Sequence, residues 1–371
     1  MPSNSKGLNH LAAVCLLLTM AWGGWQVLSA LRQGLDYPVS VSDFREGRST
    51  QTLEKQIDLH LPARDGLIAA ANAVRYKLLR SGGEQVVLGP ADWLFLRDEL
   101  RPYDGAASDQ AARIALLAQA ASVLERQGVH LLVLLVPDKA RVAEANLPQA
   151  KLPHFTAHRY QEAVHALRAQ GVWTVDLLGT LRAAYDPADA YYRSDTHWNI
   201  RGAGLAARAV ADAVKQRGLS LPSTEFTSTQ VGPLKERAGD LIRLMGLSNV
   251  GNAWRPQPDH EAATATRQIS PDTPPAGGLL GDAAGPPVVL LGTSYSLRGN
   301  FEGQLQQALS AKVLNAAKDG GGFLQAATDY FKDDAFQSAK PLLVVWELPE
   351  RMLPAPLANE RTWLNEVRLV P

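Results

Sequence analysis

The seven residues from His130 to Val136, HLLVLLV, decide the fold class of this chain. Their apolar side chains do not alternate with polar ones, which is typical of a β-strand that is covered on both faces. A helical pattern precedes this strand, with Ser108 as a candidate N-cap and Gly128 just beyond the helix end. A helix over residues 156–170 and a strand over residues 172–177 are predicted to follow. This alternation of helices and strands indicates parallel pairing in an α/β sheet.

The same alternation returns towards the C-terminus. Strands are predicted over residues 288–291, 312–315 and 341–347, and helices over residues 301–310 and 323–332. A further helix should begin after Asn199, which can cap it, and end before Gly218. Together these elements predict one mostly parallel sheet of five strands with helices on both faces, a three-layer α/β/α arrangement.

Other parts of the chain do not follow this rhythm. Residues 219–286 are predicted to form an irregular surface insertion, because the stretch is rich in Pro, Gly, Ala and Thr beyond residue 255 and offers only one short helix near residues 240–245. Upstream, Trp93 to Leu96 is predicted to be a short buried strand. Residues 38–90 are predicted to form a helical lead-in that Pro62 interrupts.

Composition excludes several classes of function. The chain has 371 residues, with 37 basic and 37 acidic side chains and no long run of one sign, so it lacks the basic footprint of a nucleic-acid-binding protein. The single cysteine, Cys15, excludes a disulfide framework and a cysteine-based metal site. Asp259-His260-Glu261 has no partner at metal-ligand spacing, and no phosphate-cradling glycine motif is present. We therefore predict no metal, no nucleotide cofactor and no nucleic-acid partner.

The N-terminus predicts a membrane anchor. Residues 11–31 form a run of 21 uncharged residues, which is long enough to span a bilayer as a helix. Lys6 precedes this run and weakly favours a cytoplasmic N-terminus. A cleaved signal peptide is the alternative, although Leu28-Ser29-Ala30 is a poor cleavage site. The predicted organisation is a tail and anchor over 1–37, the lead-in over 38–90 and the main domain over 91–371.

Two polar loops carry the candidate chemistry. Asp195 lies two residues before His197, so its carboxylate can orient the imidazole as a base. Ser294 follows Gly292 and Thr293 directly after the predicted strand 288–291, where its hydroxyl can act as a nucleophile. Each residue taken alone has an ordinary structural explanation, as a surface histidine or a turn serine. Both loops follow the carboxyl ends of predicted strands, however, which is where α/β sheets carry their functional groups.

These residues resemble a known family. Gly-Thr-Ser-Tyr-Ser at 292–296 and Asp-Thr-His-Trp at 195–198 are similar to motifs of the SGNH-hydrolase-like acetyltransferases of bacterial exopolysaccharide modification, which include the alginate O-acetylation proteins AlgJ and AlgX and relatives in cellulose acetylation. Further agreement lies in His60-Leu61-Pro62-x-Arg64, Trp93-Leu94-Phe95, Val136-Pro137-Asp138-Lys139, Gly239-Asp240-Leu241 and Trp346-Glu347-Leu348-Pro349-Glu350-Arg351. The resemblance covers nearly everything after the predicted anchor.

The resemblance implies roles for single residues. It implies that Ser294 is the nucleophile, His197 its base and Asp195 the residue that orients the base. Thr293 replaces the aspartate of ordinary SGNH hydrolases and the Asp-His pair precedes the serine, and both departures fit the exopolysaccharide branch, whose order resembles a circular permutation. Candidates for the oxyanion hole or for substrate binding are the backbone N–H of Ser294 and the residues Arg298, Asn300, Gly321 and Gly322. The glycine run from Gly320 is equally consistent with a tight turn, and Lys139 and Arg141 are predicted to be solvated surface cations.

The resemblance also implies a function and a place in the cell. It implies an O-acetyltransferase with an acetyl-serine intermediate that acts on a secreted polysaccharide, which can be cellulose, an alginate-like uronate or another glycan. It implies a single-pass protein of the inner membrane with its catalytic domain in the periplasm. A multi-spanning membrane acyltransferase would donate the acetyl group, and other exopolysaccharide export components are expected partners. The alternatives are a periplasmic carbohydrate acetylesterase and a non-catalytic polysaccharide-binding or scaffold component of an export complex.

Overall fold

The computed structural model describes residues 4–32, 41–46, 48, 51, 54–55, 64–183, 190–269, 285–358 and 360–367. The strands among them are β1 (Val86–Leu88), β2 (Leu94–Leu96), β3 (His130–Val136), β4 (Trp173–Asp176), β5 (Phe226–Arg237), β6 (Asp259–Gln268), β7 (Val288–Leu291), β8 (Val313–Asn315) and β9 (Leu343–Pro349). The helices are α1 (Asn4–Arg32), α2 (Val41–Arg45), α3 (Arg64–Leu79), α4 (Ala106–Arg126), α5 (Lys139–Val142), α6 (Arg159–Ala169), α7 (Leu178–Arg182), α8 (Ile200–Arg217), α9 (Asp240–Leu244), α10 (Phe301–Leu309), α11 (Gln325–Lys332), α12 (Asp334–Ser338) and α13 (Trp363–Glu366).

The described residues fall into two compact units, within 1–75 and 76–371. The first unit contains α1 and α2, and the second contains all nine strands. Of the predicted lead-in, α2 and α3 are helical whereas β1 is a strand. The predicted break at Pro62 lies outside the described residues.

The predicted anchor, residues 11–31, lies within α1. Among the helices of the described residues, none is both long enough and apolar enough to cross a membrane. The anchor therefore stays a prediction from the sequence.

Five parallel strands form the central sheet, in the order β4-β3-β9-β7-β8. β9 is the last strand in the sequence but lies in the middle of the sheet, where Val345 pairs with Leu132 of β3 and with Leu290 of β7. β7 and β9 are buried along their whole length and β3 is buried from Leu131 onwards, as their uninterrupted apolar sequences require. The predicted five-stranded sheet is confirmed, and each of its pairings is parallel.

Of two helix caps predicted from the sequence, the structure confirms one and contradicts the other. The Asn199 side chain accepts a hydrogen bond from the Gly202 N–H at 2.9 Å, and α8 ends at Gly218 as predicted. The prediction for Ser108 is wrong because α4 begins at Ala106, with Gly105 in the cap position. The Ser108 hydroxyl instead donates to the Gly105 carbonyl at 2.8 Å, inside the first turn.

The prediction of an irregular insertion over 219–286 is wrong at residues 226–237 and 259–268, and residues 270–284 of the predicted insertion lie outside the described residues. β5 and β6 form a long antiparallel ribbon, in which Phe226 pairs with Gln268 and Arg237 with Asp259. Most of β5 is exposed, and both strands carry polar and threonine residues without an apolar face. Because the strands bury little, the alternation that identifies a half-buried strand is missing from their sequences. The short helix predicted near 240–245 is confirmed as α9.

Candidate active site

Ser294 begins a tight 3-10 turn directly after β7, and residues 292–297 are called the nucleophile turn below, after the role predicted for Ser294. The turn rests on Glu347 of β9, whose buried carboxylate accepts hydrogen bonds from the Thr293 N–H at 2.7 Å and the Ser296 hydroxyl at 3.0 Å. A Cβ on Gly292 would lie only 2.5 Å from the Glu347 carboxylate oxygen. Glycine at this position therefore allows the carboxylate to support the turn from below.

His197 and Asp195 lie beside Ser294, in a segment that we call the Asp–His loop (residues 192–199). The His197 Nε2 atom lies 2.7 Å from the Ser294 hydroxyl oxygen, and His197 Nδ1 lies 2.6 Å from Asp195 Oδ1. His197 and Asp195 are buried, while Ser294 is partly exposed. With the proton on Nδ1, the ring donates to the carboxylate and leaves Nε2 free to accept the serine proton. The structure thus joins the three predicted residues, Ser294, His197 and Asp195, by hydrogen bonds, and this group is called the relay below.

The second carboxylate oxygen of Asp195 is also occupied. It accepts hydrogen bonds from the Arg237 guanidinium at 2.7 Å and from the Asp240 N–H at 3.1 Å. Burial by itself would raise the pKa of Asp195, but the hydrogen bond and charge of His197 and the charge of Arg237 outweigh it and hold that pKa far below its usual range. The pKa of the Asp240 carboxyl is raised by burial and by the neighbouring Asp195 charge. Asp195 is therefore held ionised.

The β5–β6 ribbon, which is not part of the central sheet, accepts several hydrogen bonds from the Asp–His loop. Asp259 accepts hydrogen bonds from the Arg193 N–H at 3.0 Å, the Ser194 N–H at 2.9 Å and the Ser194 hydroxyl at 2.6 Å. A Cβ on Gly239 would lie 1.9 Å from the Ser194 carbonyl oxygen, so the two backbones are in direct contact. Glu261 accepts a hydrogen bond from the Tyr192 hydroxyl. The ribbon is therefore a structural part of the site.

Two aromatic residues join the Asp–His loop to the nucleophile turn. The Tyr295 hydroxyl donates to the Thr196 carbonyl at 2.7 Å, and the Trp198 indole N–H donates to the Tyr295 carbonyl at 3.0 Å. The Tyr295 ring also meets His197 edge-on, with ring centroids 4.9 Å apart. These reciprocal contacts tie His197, the predicted base, to the turn that carries Ser294, the predicted nucleophile.

A cavity of about 490 Å³ opens above the relay. Ser294 and His197 line it, together with the predicted candidates Arg298, Gly321 and Gly322. Their roles as oxyanion or substrate ligands stay predictions. The Arg298 guanidinium lies 3.2 Å from the Asp319 carboxylate.

Asn300 is the predicted candidate that does not line this cavity. Its side-chain amide donates to the Thr266 hydroxyl of the ribbon at 2.9 Å. It is also the cap residue that precedes α10. The structure therefore places Asn300 at the contact between α10 and the ribbon.

The prediction that Lys139 and Arg141 are solvated is wrong, because both side chains are fully buried. The Lys139 amine donates to three backbone carbonyls, and the Arg141 guanidinium forms a two-pronged ion pair with Glu350 at 2.6 and 2.7 Å. Sequence reasoning assigned no place in the site to Glu347, Arg237 or Asp259, although Glu347 lies in a family motif and Asp259 was considered as a metal ligand. Glu347 had a visible signal, since it is a carboxylate within the otherwise apolar strand β9, whereas the other two gave no local sign.

One group of side chains has metal-ligand spacing in the part of the chain that the structure describes. Ligand atoms of Asp195, His197 and Asp240 lie within 4.8 Å of one another. Asp195 already accepts hydrogen bonds from the Arg237 cation and from His197. Arg237 would repel a second cation at this place. These side chains therefore suit hydrogen bonding among Asp195, His197 and Ser294 better than they suit a metal ion.

Known proteins resemble this chain over most of its length. The family described as "SGNH hydrolase-like domain, acetyltransferase AlgX" matches residues 86–350. The probable alginate O-acetylase AlgJ of Pseudomonas putida is 33% identical over 310 residues, which is 83% of this chain and 80% of that protein. The protein of the same name from Pseudomonas aeruginosa is 33% identical over 354 residues, which is 91% of this chain and 87% of that protein.

A solved structure agrees with these sequence relatives. The O-acetyltransferase domain of Pseudomonas putida AlgJ superposes with a TM-score of 0.66 at 33% identity, covering 76% of this chain and 98% of that domain. The fold is therefore SGNH-hydrolase-like, with a parallel central sheet and the Asp-His pair preceding the serine in sequence.

Proposed function

The chain belongs to the SGNH hydrolase-like acetyltransferase family of AlgX, and from that membership we propose that it is an O-acetyltransferase of an exopolysaccharide. The observation that carries this proposal is the relay of Ser294, His197 and Asp195, with distances of 2.7 and 2.6 Å, at the wall of a cavity. The relatives are named as alginate O-acetylases, which supports acetylation of a polysaccharide hydroxyl.

The first half-reaction would load the enzyme. The Ser294 oxygen attacks the carbonyl carbon of an acetyl donor while His197 Nε2 takes the serine proton. The ionised Asp195 stabilises the imidazolium that forms. When the tetrahedral intermediate collapses, the bond to the donor's leaving group breaks and His197 returns the proton to that group. The product is acetyl-Ser294.

The second half-reaction would transfer the acetyl group from Ser294 to the polysaccharide. A sugar hydroxyl enters the cavity, gives its proton to His197 and attacks the acetyl carbon. Collapse of this second intermediate breaks the ester bond to Ser294, and His197 returns the proton to the serine oxygen. Developing negative charge on the acetyl oxygen requires N–H donors, for which the Ser294 and Gly322 backbones, both at the cavity, are our candidates.

We propose a polyuronate as the acceptor. Arg237, Arg243, Arg298 and Arg351 line the cavity together with three aspartates, two of which are paired with Arg237 and Arg298. Arg243 is exposed at the cavity, where its guanidinium can meet a sugar carboxylate in two-pronged fashion. The alginate O-acetylase names of the relatives point to the same chemistry, because alginate is a polymer of uronic acids. A neutral glucan has no carboxylate with which the Arg243 guanidinium could pair.

The test supplies one donor and two acceptors. Full-length protein is mixed with an activated acetyl ester and with oligosaccharides either of uronic acid or of glucose, and mass spectrometry follows acetylated sugar and free acetate. We expect acetylated uronate oligosaccharides that are absent with the Ser294→Ala variant. Acetylated glucose oligomers would instead identify a cellulose-type acceptor.

The rival functions give different products. An esterase would release acetate at a rate that no acceptor changes, and would deacetylate acetylated polysaccharide. A scaffold would bind oligosaccharide without acetylating Ser294. Either result would overturn the transferase proposal.

We further propose that the main domain works in the periplasm, attached to the inner membrane, with a multi-spanning membrane acyltransferase as donor and other export components beside it. The 21 uncharged residues of 11–31 support the attachment. Cell fractionation with mass spectrometry of the N-terminus tests it, and a soluble product beginning near residue 31 would refute the anchor.

A further inference from the structure

Lys139 lies at the start of α5, directly after β3, and its side chain is fully buried. Its amine nitrogen donates to the carbonyl of Leu94 at 2.6 Å, of Arg193 at 2.7 Å and of Asp195 at 2.9 Å. A lysine ammonium has three N–H donors and no acceptor. The protonated amine therefore satisfies three backbone carbonyls with the only three hydrogens it has.

Two of these carbonyls belong to the Asp–His loop. Arg193 and Asp195 lie on either side of Ser194, and the Arg193 carbonyl also accepts the Leu94 N–H at 3.0 Å. A donor shared by two carbonyls this close in sequence restricts the backbone directions of both residues. The direction of the Asp195 backbone in turn sets where its carboxylate meets His197. Lys139 thus reaches the relay through the backbone, without touching the reacting atoms.

We propose that Lys139 is a positioning residue of the relay, whose charged amine holds the Asp195 backbone in the geometry that His197 needs. This inference rests on the proposed function, since it concerns the rate at which Ser294 reacts. It also gives a role to a charged amine that no solvent reaches.

The surroundings of Lys139 make this role dependent on pH. The amine lies 5.1 and 5.3 Å from the ring centroids of Trp93 and Phe95. The carboxylates that act on it are Glu99 after β2, Asp195 in the Asp–His loop, Asp240 of α9 and Asp259 of β6, while Arg141 is the other cation of its own helix.

Burial lowers the pKa of Lys139 to about 8, although the four carboxylates oppose that shift. Below this pH the amine is protonated and keeps all three hydrogen bonds. Above it the neutral amine has two hydrogens and a lone pair, so one carbonyl loses its donor. Positioning should therefore be lost as the pH rises through about 8.

The experiment measures the rate at which a serine-directed phosphonate modifies Ser294, by intact mass, between about pH 6 and pH 10. In the full-length wild type we expect the rate to fall on the alkaline side with a midpoint near 8. In Lys139→Met we expect a rate lower by on the order of 10²-fold at neutral pH, because misplacement alone has that effect, and no alkaline fall. Arg141→Met is the matched control: it removes a buried cation from the same helix that bonds to Glu350 and not to the Asp–His loop, so the alkaline fall should remain.

The outcomes separate the two proposals. A wild type that reacts at a constant rate across this range, or a Lys139→Met variant that keeps the alkaline fall, overturns the role of Lys139. If Lys139→Met does not fold, Lys139→Gln replaces it, because its amide still donates but cannot titrate, and the same absence of an alkaline fall is required. A wild type whose Ser294 is not modified at any pH overturns the proposed function itself.

Discussion

The nucleophile turn and the Asp–His loop meet at 2.7 Å but are held in different ways. The nucleophile turn lies on the sheet itself, because it follows β7 and rests on Glu347 of the adjacent strand β9. The Asp–His loop is held by groups from three other parts of the chain, namely Lys139, Arg237 and Asp259. The serine is therefore held by two adjacent strands, whereas the position of His197 depends on three groups that are far apart in the sequence.

The largest effect should come from the nucleophile turn. Ser294→Ala removes the attacking oxygen, and loss of a triad nucleophile lowers turnover by on the order of 10⁶-fold. Intact-mass detection of an acetyl or phosphonate adduct measures it. Ser296→Ala is the control, since its hydroxyl bonds to Glu347 and not to His197. An adduct that persists in Ser294→Ala or is found on Ser296 would show that the serine is misassigned.

The next largest effect should come from Asp195, at the centre of the Asp–His loop. Asp195→Asn keeps the shape but places an amide beside His197 Nδ1, which favours the wrong tautomer, and a loss of about 10⁴-fold in turnover is expected. Asp240→Asn is the comparison, because its carboxylate is 3.6 Å from the ring and its backbone N–H, which is unchanged, is what bonds Asp195. Equal losses in the two variants would contradict the assignment of Asp195.

Arg237→Met tests whether the ribbon supports catalysis. Loss of the cation leaves one Asp195 oxygen short of a donor, and misplacement of the pair should lower turnover by about 10²-fold. Arg243→Met, which changes an exposed arginine at the same cavity, should keep turnover far closer to wild type with a small acetyl ester.

Arg237→Met should also change how the melting temperature depends on pH. The pKa of Asp195 is depressed in the folded state, so its ionised form stabilises the fold above the unfolded pKa of about 4 and that contribution fades as the pH falls towards the folded value. Arg237→Met should raise that pKa towards its usual range. Its melting temperature should therefore be lower than wild type near pH 7, with a difference that shrinks below about pH 4. A difference that is constant with pH would argue against the Asp195 link.

A smaller effect is expected from the support of the nucleophile turn. Glu347→Gln keeps an amide oxygen for the Thr293 N–H and the Ser296 hydroxyl, and the Thr293 hydroxyl can rotate to accept from the new NH₂ group. Turnover should fall by less than about 10-fold, in keeping with one neutral hydrogen bond of about 1 kcal/mol. A loss as large as that of Arg237→Met would show that the sheet-held turn is no more robust than the ribbon-held loop.

The smallest effect should appear at the end of the Asp–His loop. Asn199→Ala removes the side-chain cap of α8 and should lower stability by about 1 kcal/mol, while Asn199→Asp keeps the cap. Thermal melting measures the change. We expect turnover below the melting transition to stay within a factor of about three of wild type, since Trp198 and Tyr295 still join the two loops. A large loss in turnover would show that the cap also holds His197.

Much of this arrangement follows from patterns within short stretches of sequence. The strands β3, β7 and β9 are apolar without interruption, and such runs identify buried parallel strands wherever they occur. Gly292 and Ser294 after β7 then mark a functional turn. The ribbon was missed for the opposite reason: its strands bury little, and an exposed polar strand has no periodic apolar signal.

The sequence by itself determined the parallel sheet, the two loops and the identity of Ser294, His197 and Asp195 as candidates, because strand burial, turn residues and helix caps are written in neighbouring residues. Only the tertiary structure decided that Lys139 is buried, that Arg237 and Asp259 reach the Asp–His loop and that Asn300 faces the ribbon. A charged residue gives the same local signal whether it is solvated or buried with a partner. The burial of Lys139 depends on carbonyl partners distant in sequence, those of Leu94 and Asp195, which only the fold brings to its amine.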